Sequence, residues 1–543
     1  MPVRLRHATQ LTLILLLGCR SNKTGVVVDD GAAPNGRGGV AGSNGGTPGP
    51  VGSGGSTPGA TGMGGVGPPG ATSSGGASAS AAGASGQAGG GGASGNHGTG
   101  GEGTGGSRLG GAGAPGQGAG GTGSTNACSF SIEAQISPKI AEVGIVTWST
   151  TLADVRSAHI EFGETTAYGL NAPVDLASPG YRTLLLGMRS SKTYHFRVVA
   201  TASSGTCASE DQTMTTGALP SSLPKVTVTT AGTAVAPFGG YLLLGPYQQS
   251  TGGTSAPVFF VNGDGDIVWT IRGPGEIVSA RMNPRHTHVW MSSANVPPSK
   301  AVVHRIGLDG LLDEDLSASF EGQHYQLSLL PDDTVVFPAY GAGGCDDIKE
   351  HAPGGPTRTI ANVCTLLGAG STRVFAIEYS APDDAIVFFE TVTQSLVKIS
   401  RAGALVWILG GSGSTFAGDT WRGGVSGFRV LAADRLLVFV NNSTQTSAFP
   451  GTGTGSYAVE LVLDRAANTV KQVWSYQPTP AIQSDVLGDV QRLPDGHTLV
   501  AFSVHAIVHE VDAGGSFIRE WKWASFTMFS FEGHPSYYRP PVP

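Results

Sequence analysis

The feature that most constrains this chain is a phrase that recurs through its C-terminal half. At residues 395–409, SLVKISRAGALVWIL, apolar and polar residues alternate, break at Ala402-Gly403, then resume through Trp407. Period-two alternation on both sides of a Gly-bearing turn predicts a β-hairpin with one buried face. The phrase returns at 258–271 (VFFVNGDGDIVWTI), 457–474 (YAVELVLDRAANTVKQVW) and 507–521 (IVHEVDAGGSFIREW), with a degenerate copy at 302–316. A second phrase alternates with it, a strand built around a Leu-Pro-Asp-Gly-like turn. It occurs at 328–337, 378–389, 429–440 and 489–502, with earlier equivalents at 239–246 and 280–291. One phrase of each kind makes four strands. Six such units can be counted, the third with a poorly kept second hairpin.

A four-stranded unit repeated every ~40–60 residues is the pattern of a β-propeller. Each sheet has two faces to cover, and only neighbouring sheets can cover them. The predicted fold is therefore all-β, with a six-bladed β-propeller over 219–543. Trp269, Trp407, Trp474 and Trp521 recur at one place in the phrase and are expected to pack between blades.

Upstream, 127–218 holds short alternating strands, including VGIVTWST at 143–150 and LLLGMRSSKTYHFRVVA at 184–200. The latter resembles the closing signature of fibronectin type III domains. That resemblance implies an immunoglobulin-like (fibronectin type III-like) β-sandwich, with Tyr194 as corner tyrosine and Trp148 as core aromatic. Residues 20–126 are Gly, Ser, Ala, Thr and Pro with almost no large apolar side chain. Such a stretch cannot offset its ordering entropy and reads as a disordered linker. Gly95-Asn96-His97 inside it lacks partner ligands and reads as incidental.

Residues 1–19 place Arg4 and Arg6 before a short apolar run that ends in Leu-Leu-Gly-Cys. The run is too short to span a bilayer. It resembles the bacterial lipoprotein signal motif, which implies cleavage before Cys19, lipid attachment to its thiol, and export. Arg20 in place of Asp favours the outer membrane, facing the periplasm or the cell surface. The only membrane contact expected is the lipid anchor. Setting Cys19 aside leaves Cys128, Cys207, Cys345 and Cys364, an even number suited to two disulfides in an exported chain. Net charge is −7 with 13% charged residues, no footprint for nucleic acid.

Residues 240–523 resemble the arylsulfotransferase family, on the WIL-GG stretch at 407–411 and the run DVLGDVQRLPDGHTLVAFSVHAIVHE at 485–510. The resemblance implies sulfuryl transfer between phenols without a nucleotide cofactor. An active-site His is transiently sulfated while neighbouring His, Asn and Arg groups stabilise charge. No cofactor is expected, and the partner expected is a phenolic or aryl sulfate small molecule. Carried over by position, only His324 matches. Arg373-Val374-Phe375 stands at the family's His-x-Asn step, Glu390 to Thr393 offers no cation, and Val425-Ser426-Gly427 stands at the nucleophilic His. Two readings follow. In one the fold has lost its chemistry and binds a ligand at its mouth or acts only in surface binding. In the other Ser426 substitutes as nucleophile, Arg373, Arg422 or Arg429 as cationic clamp, and His324 as base.

Other groups read as structural. His286 and His288 share a strand face without a third metal ligand, so no metal site is expected. His505 and His509 share a strand face. Asp346 and Asp347 cap turns in the Cys345–Cys364 loop.

Overall fold

The computed structural model describes residues 128–232, 234–247, 256–293, 301–411, 413–418, 421, 423–443, 452–524 and 527–538. The signal segment with Cys19, the linker 20–126 and Arg422 lie outside them. Strands dominate, and Val363–Leu367 is the one α-helix among the described residues.

Two sheets form the N-terminal part. One runs in the order Phe130–Ile136, Gly144–Thr150, Thr183–Leu185. The other runs Leu170–Pro173, Val155–Gly163, Thr193–Ala202, Gly205–Ala208. They share a core that includes Trp148, Phe162, Tyr194, Phe196 and Val198. The Tyr194 hydroxyl accepts a hydrogen bond from the backbone N–H of Arg189 at 2.8 Å. Cys128 and Cys207 are bonded, with Cα atoms 6.5 Å apart.

Among the described residues six sheets follow, antiparallel except where Ala417–Gly418 pairs in parallel with Thr469–Tyr476 at the edge of the fifth. Sheet one holds Tyr241–Tyr247, Pro257–Val261 and Ile267–Arg272, and the C-terminal strand Thr527–His534 completes it. Sheets two, three and four each use four consecutive strands, beginning with Ile277–Met282, Ser328–Leu329 and Val374–Ser380. Sheet five begins with Val425–Ala432 and sheet six with Asp489–Arg492. The early strand Val226–Thr230 adds to the far edge of sheet six. The first and last strands of this region are thus tied into sheets that they do not neighbour in sequence. The third unit's second hairpin, poorly legible in sequence, is a regular pair, Asp346–His351 with Thr357–Asn362.

Alternation buries one set of side chains on each face of each sheet, and those faces meet their neighbours. Separate apolar cores join sheets one and two, two and three, three and four, four and five, five and six, and six and one. The succession returns to its start. The recurring tryptophans sit in these joins: the Trp269 indole N–H donates to Leu308 O of sheet two, and that of Trp521 to Asn262 O of sheet one. At ~25 cal/mol per Å² of apolar surface, each buried Trp contributes several kcal/mol. First strands of successive sheets pack side by side, with Thr527–His534 between those of sheets six and two. Gly427 shows how tightly: a Cβ there would lie 2.7 Å from the Asp489 Cα.

Two of the minor readings change. His286 lies in the turn before the strand His288–Ser293, with φ of 55°, so the two histidines share no strand face. His505 ends a 3₁₀ turn and His509 lies in the strand Ile507–Val511, so they share none either.

Candidate functional site

Side chains that begin the first strands collect at one end of the sheets. His324 lies in the loop before Ser328–Leu329, its backbone N–H bonded to Pro338 O at 3.2 Å. Its ring is 1% exposed. The ring stacks on Tyr340 at 4.3 Å between centroids and meets Tyr325 edge-on at 5.1 Å. Tyr325 adopts φ of 56°, which sends its ring across to Phe375 of sheet four.

Asp346 is the residue that organises this cluster. Its backbone N–H donates to Thr372 Oγ1, and its carboxylate accepts from the Val374 N–H at 2.6 Å and Arg373 Nη1 at 2.9 Å. His324 Nε2 lies 3.2 Å from the same carboxylate, but off the direction of a good hydrogen bond. The contact is best taken as close charge proximity. Nδ1 of His324 is buried without a partner. The neighbouring Cys345 is bonded to Cys364, with Cα atoms 5.5 Å apart, which pins the loop carrying Asp346. Asp346 thus joins sheets three and four rather than capping a turn. Nothing in its sequence surroundings marks it except the adjacent Cys345.

Arg373 closes the cluster, its guanidinium 4.5 Å from the centre of the Tyr340 ring. Its side chain is 17% exposed, and Nε and Nη2 make no hydrogen bond among the described residues. Glu390, where the family pattern would put a cation, is fully buried and caps a turn, accepting from the N–H groups of Arg373, Val392 and Thr393.

Ser426 stands apart. Its hydroxyl donates to Asn441 Oδ1 at 2.6 Å, and the Asn441 amide is held by Ser484 O and Leu487 O. No imidazole or carboxylate touches it among the described residues, so nothing there takes its proton. His324 and Arg373 therefore come together through Asp346, and Ser426 does not join them.

Arg429 has a different environment. It forms a bidentate pair with Asp489, 2.9 Å on each arm, and lies 3.5 Å from Glu378. Arg281 lies 3.8 Å from Asp489 and 3.4 Å from Glu532. Five charged side chains thus meet, four from the first strands of sheets two, four, five and six and Glu532 from the closing strand of sheet one. Sequence reading passed over this group, although the phrases at 280–291, 378–389, 429–440 and 489–502 each begin with a charged residue at their first or second place. Desolvation raises the Glu378 carboxyl to about 7 despite the two guanidiniums. Burial also pushes Glu532 up, but Arg281, His534 and Arg429 outweigh it and hold that carboxyl at about 2.

Residues 374–532 match the model of the family described as Arylsulfotransferase (ASST). This segment spans sheets four to six and most of the closing strand, and its fold is arylsulfotransferase-like. Of the candidate residues, Ser426 lies inside the arylsulfotransferase-like segment, whereas His324, Asp346 and Arg373 precede it. No curated protein matches the chain. Among solved structures, TolB from Acinetobacter baumannii is 12% identical, covering 64% of this chain and 80% of its own, with a TM-score of 0.35. A streptogramin B lyase is 10% identical, covering 73% and 98%, with a TM-score of 0.33.

Proposed function

We propose that this is an exported lipoprotein, anchored through Cys19 and held off the membrane by the linker 20–126. It presents a fibronectin type III-like sandwich and a six-bladed arylsulfotransferase-like propeller that binds a small aryl sulfate or phenol without turning it over. Six cores in cyclic succession and the tying-in of the region's first and last strands support the propeller. The Tyr194–Arg189 contact and the buried Trp148 support the sandwich type. Two formed disulfides accord with an oxidising compartment.

The observation that carries the binding reading is Arg373. Two unengaged donor groups of its guanidinium lie beside the Tyr340 ring, a pairing suited to the oxygens of an aryl sulfate and the ring behind them. The Ser426 hydroxyl, tied to an amide, supplies no activated nucleophile.

A second reading rests on the orphan Nδ1 of His324. In the neutral tautomer that carries its proton on Nε2, Nδ1 holds the lone pair and is a potential acceptor of a sulfuryl group. The ring's burial argues against it, since a substrate sulfur must reach that atom. Mixing the purified chain with p-nitrophenyl sulfate and phenol separates the two. Binding by calorimetry, weakened at least tenfold by Arg373→Ala and accompanied by no nitrophenol release, supports the first. Release that disappears with His324→Ala overturns it.

A further inference from the structure

The five-charge group at the far end of the first strands borders a half-open cavity of about 210 Å³, lined by Arg281, Ser328, Glu378, Tyr379, Arg429 and Glu532 among others. Glu378 is four residues along its strand from Val374, so the cavity lies ~13 Å from the Arg373 cluster. It is a separate place with its own chemistry, and the argument for it does not depend on the aryl sulfate reading.

Partners inside the group are unevenly shared. Arg429 spends its Nη groups on both Asp489 oxygens and on Phe428 O. Arg281 donates to Phe531 O at 3.1 Å and lies 3.4 Å from Glu532 and 3.8 Å from Asp489. Glu532 accepts from the Met282 N–H at 3.0 Å and lies 3.1 Å from His534 Nε2. Glu378 is the exception. Its contacts are long, 3.4 Å to the Val430 N–H and 3.5 Å to Arg429, and 21% of its side-chain surface remains accessible, facing the cavity. Two arginines against Glu378, Asp489 and Glu532 leave one negative charge over when all are ionised.

An anion entering here meets guanidiniums already bonded and a surplus of carboxylate. A cation with several N–H donors meets an under-bonded carboxylate and restores neutrality in a poorly solvated space. A cavity of about 210 Å³ has room for a compact organic ion. No group of three or more His, Cys, Asp or Glu side chains is placed to hold a metal among the described residues. We infer that this cavity binds a small primary ammonium compound, with Glu378 as its ion-pair partner and the Ser328 hydroxyl as a second polar contact.

Titration of Glu378 makes the inference testable in the unmodified chain. Arg429, Arg281 and Asp489 surround the carboxyl, which with a value near 7 is mostly protonated at pH 6. A bound ammonium ion should expel that proton, so affinity for ethanolamine should be about tenfold weaker at pH 6 than at pH 8. Calorimetry near pH 7 in buffers of different ionisation enthalpy should show proton release. Ethylene glycol, the uncharged counterpart, and acetate should not bind, and Glu378→Gln should weaken ethanolamine at least tenfold. If Glu378→Gln fails to fold, Ser328→Phe, which fills the cavity and keeps all five charges, should abolish binding instead. The inference is overturned by any of four results: no ethanolamine binding, tighter binding of acetate, binding without proton release, or binding that survives a folded Glu378→Gln.

Discussion

The two ends of the first strands solve the same problem differently. Where the strands begin, one carboxylate, Asp346, is shared by a backbone N–H, a guanidinium and an imidazole, and the unengaged groups are donors on Arg373. Farther along, two guanidiniums lie among three carboxylates, and the carboxylate left with only long contacts is an acceptor, Glu378. A buried charge is tolerated only with partners, so what remains unpartnered tells which ligand a site can accept. One end is prepared for an anion and the other for a cation, on strands a few residues long.

The strongest way to break this contrast is to remove the carboxylate on which the far end depends. Asp489→Ala leaves Arg429 and Arg281 buried beside each other without their shared partner, and should cost about 4 kcal/mol in denaturant unfolding. A loss below 1 kcal/mol means that the guanidiniums find water or Glu378 instead, and that the group is looser than drawn. At the other end the corresponding restraint is covalent. Replacing Cys345 and Cys364 by Ser opens a loop of sequence separation 19 and should cost about 3 kcal/mol, while weakening aryl sulfate binding because Asp346 loses its anchor. Unchanged binding with lowered stability would show that the disulfide holds the fold but not the site.

A third carboxyl sharpens the contrast because no other side chain among the described residues bonds to it. Glu142, at the junction between the N-terminal sheets and sheets one and two, is fully buried with neither oxygen hydrogen-bonded, and desolvation raises it to about 7. The folded chain then holds a proton that the unfolded chain, near 4.5, has released. That contribution is present in full below about pH 4.5 and is lost as pH rises to 7. Glu142→Gln should therefore be more stable than the parent by about 3 kcal/mol at pH 8 and nearly equal to it near pH 4.5. Glu378 titrates in the same window, so the difference between parent and variant is the quantity to measure, not the parent's profile. A constant difference across this range would mean that Glu142 stays ionised.

Periodicity made the strands, their grouping and the interleaved tryptophans legible, because alternation is a property of neighbouring residues. The odd unit shows its limit: Asp346–His351 is charged at four of six positions, yet it pairs regularly because backbone ladders do not require apolar side chains. Of the site, His324 and Arg373 were visible from position, but Asp346, which joins them, was not. Its role comes from the approach of sheets three and four, a distance that no local pattern encodes. The charged residues at 281, 378, 429 and 489 were readable individually as exceptions in apolar phrases, but only packing of the first strands shows that they face one another. The even number of cysteines beyond Cys19 was legible as material for two disulfides, and the bonds Cys128–Cys207 and Cys345–Cys364 are present.

The smallest expected effect bears most directly on whether the site does chemistry. Ser426→Ala removes one hydroxyl that donates to Asn441 Oδ1 and leaves Asn441 still held by Ser484 O and Leu487 O. A neutral buried hydrogen bond of this kind is worth about 1 kcal/mol, and a loss of that size in denaturant unfolding is expected. Aryl sulfate affinity should be unchanged, because no bond links Ser426 to His324, Asp346 or Arg373 among the described residues. Weakened affinity would bring Ser426 into the ligand's reach and move the binding place toward sheet five. Abolished nitrophenol release, in a chain that showed release before the change, would make the hydroxyl a nucleophile after all, with its proton passing to a group that this arrangement does not bring to it.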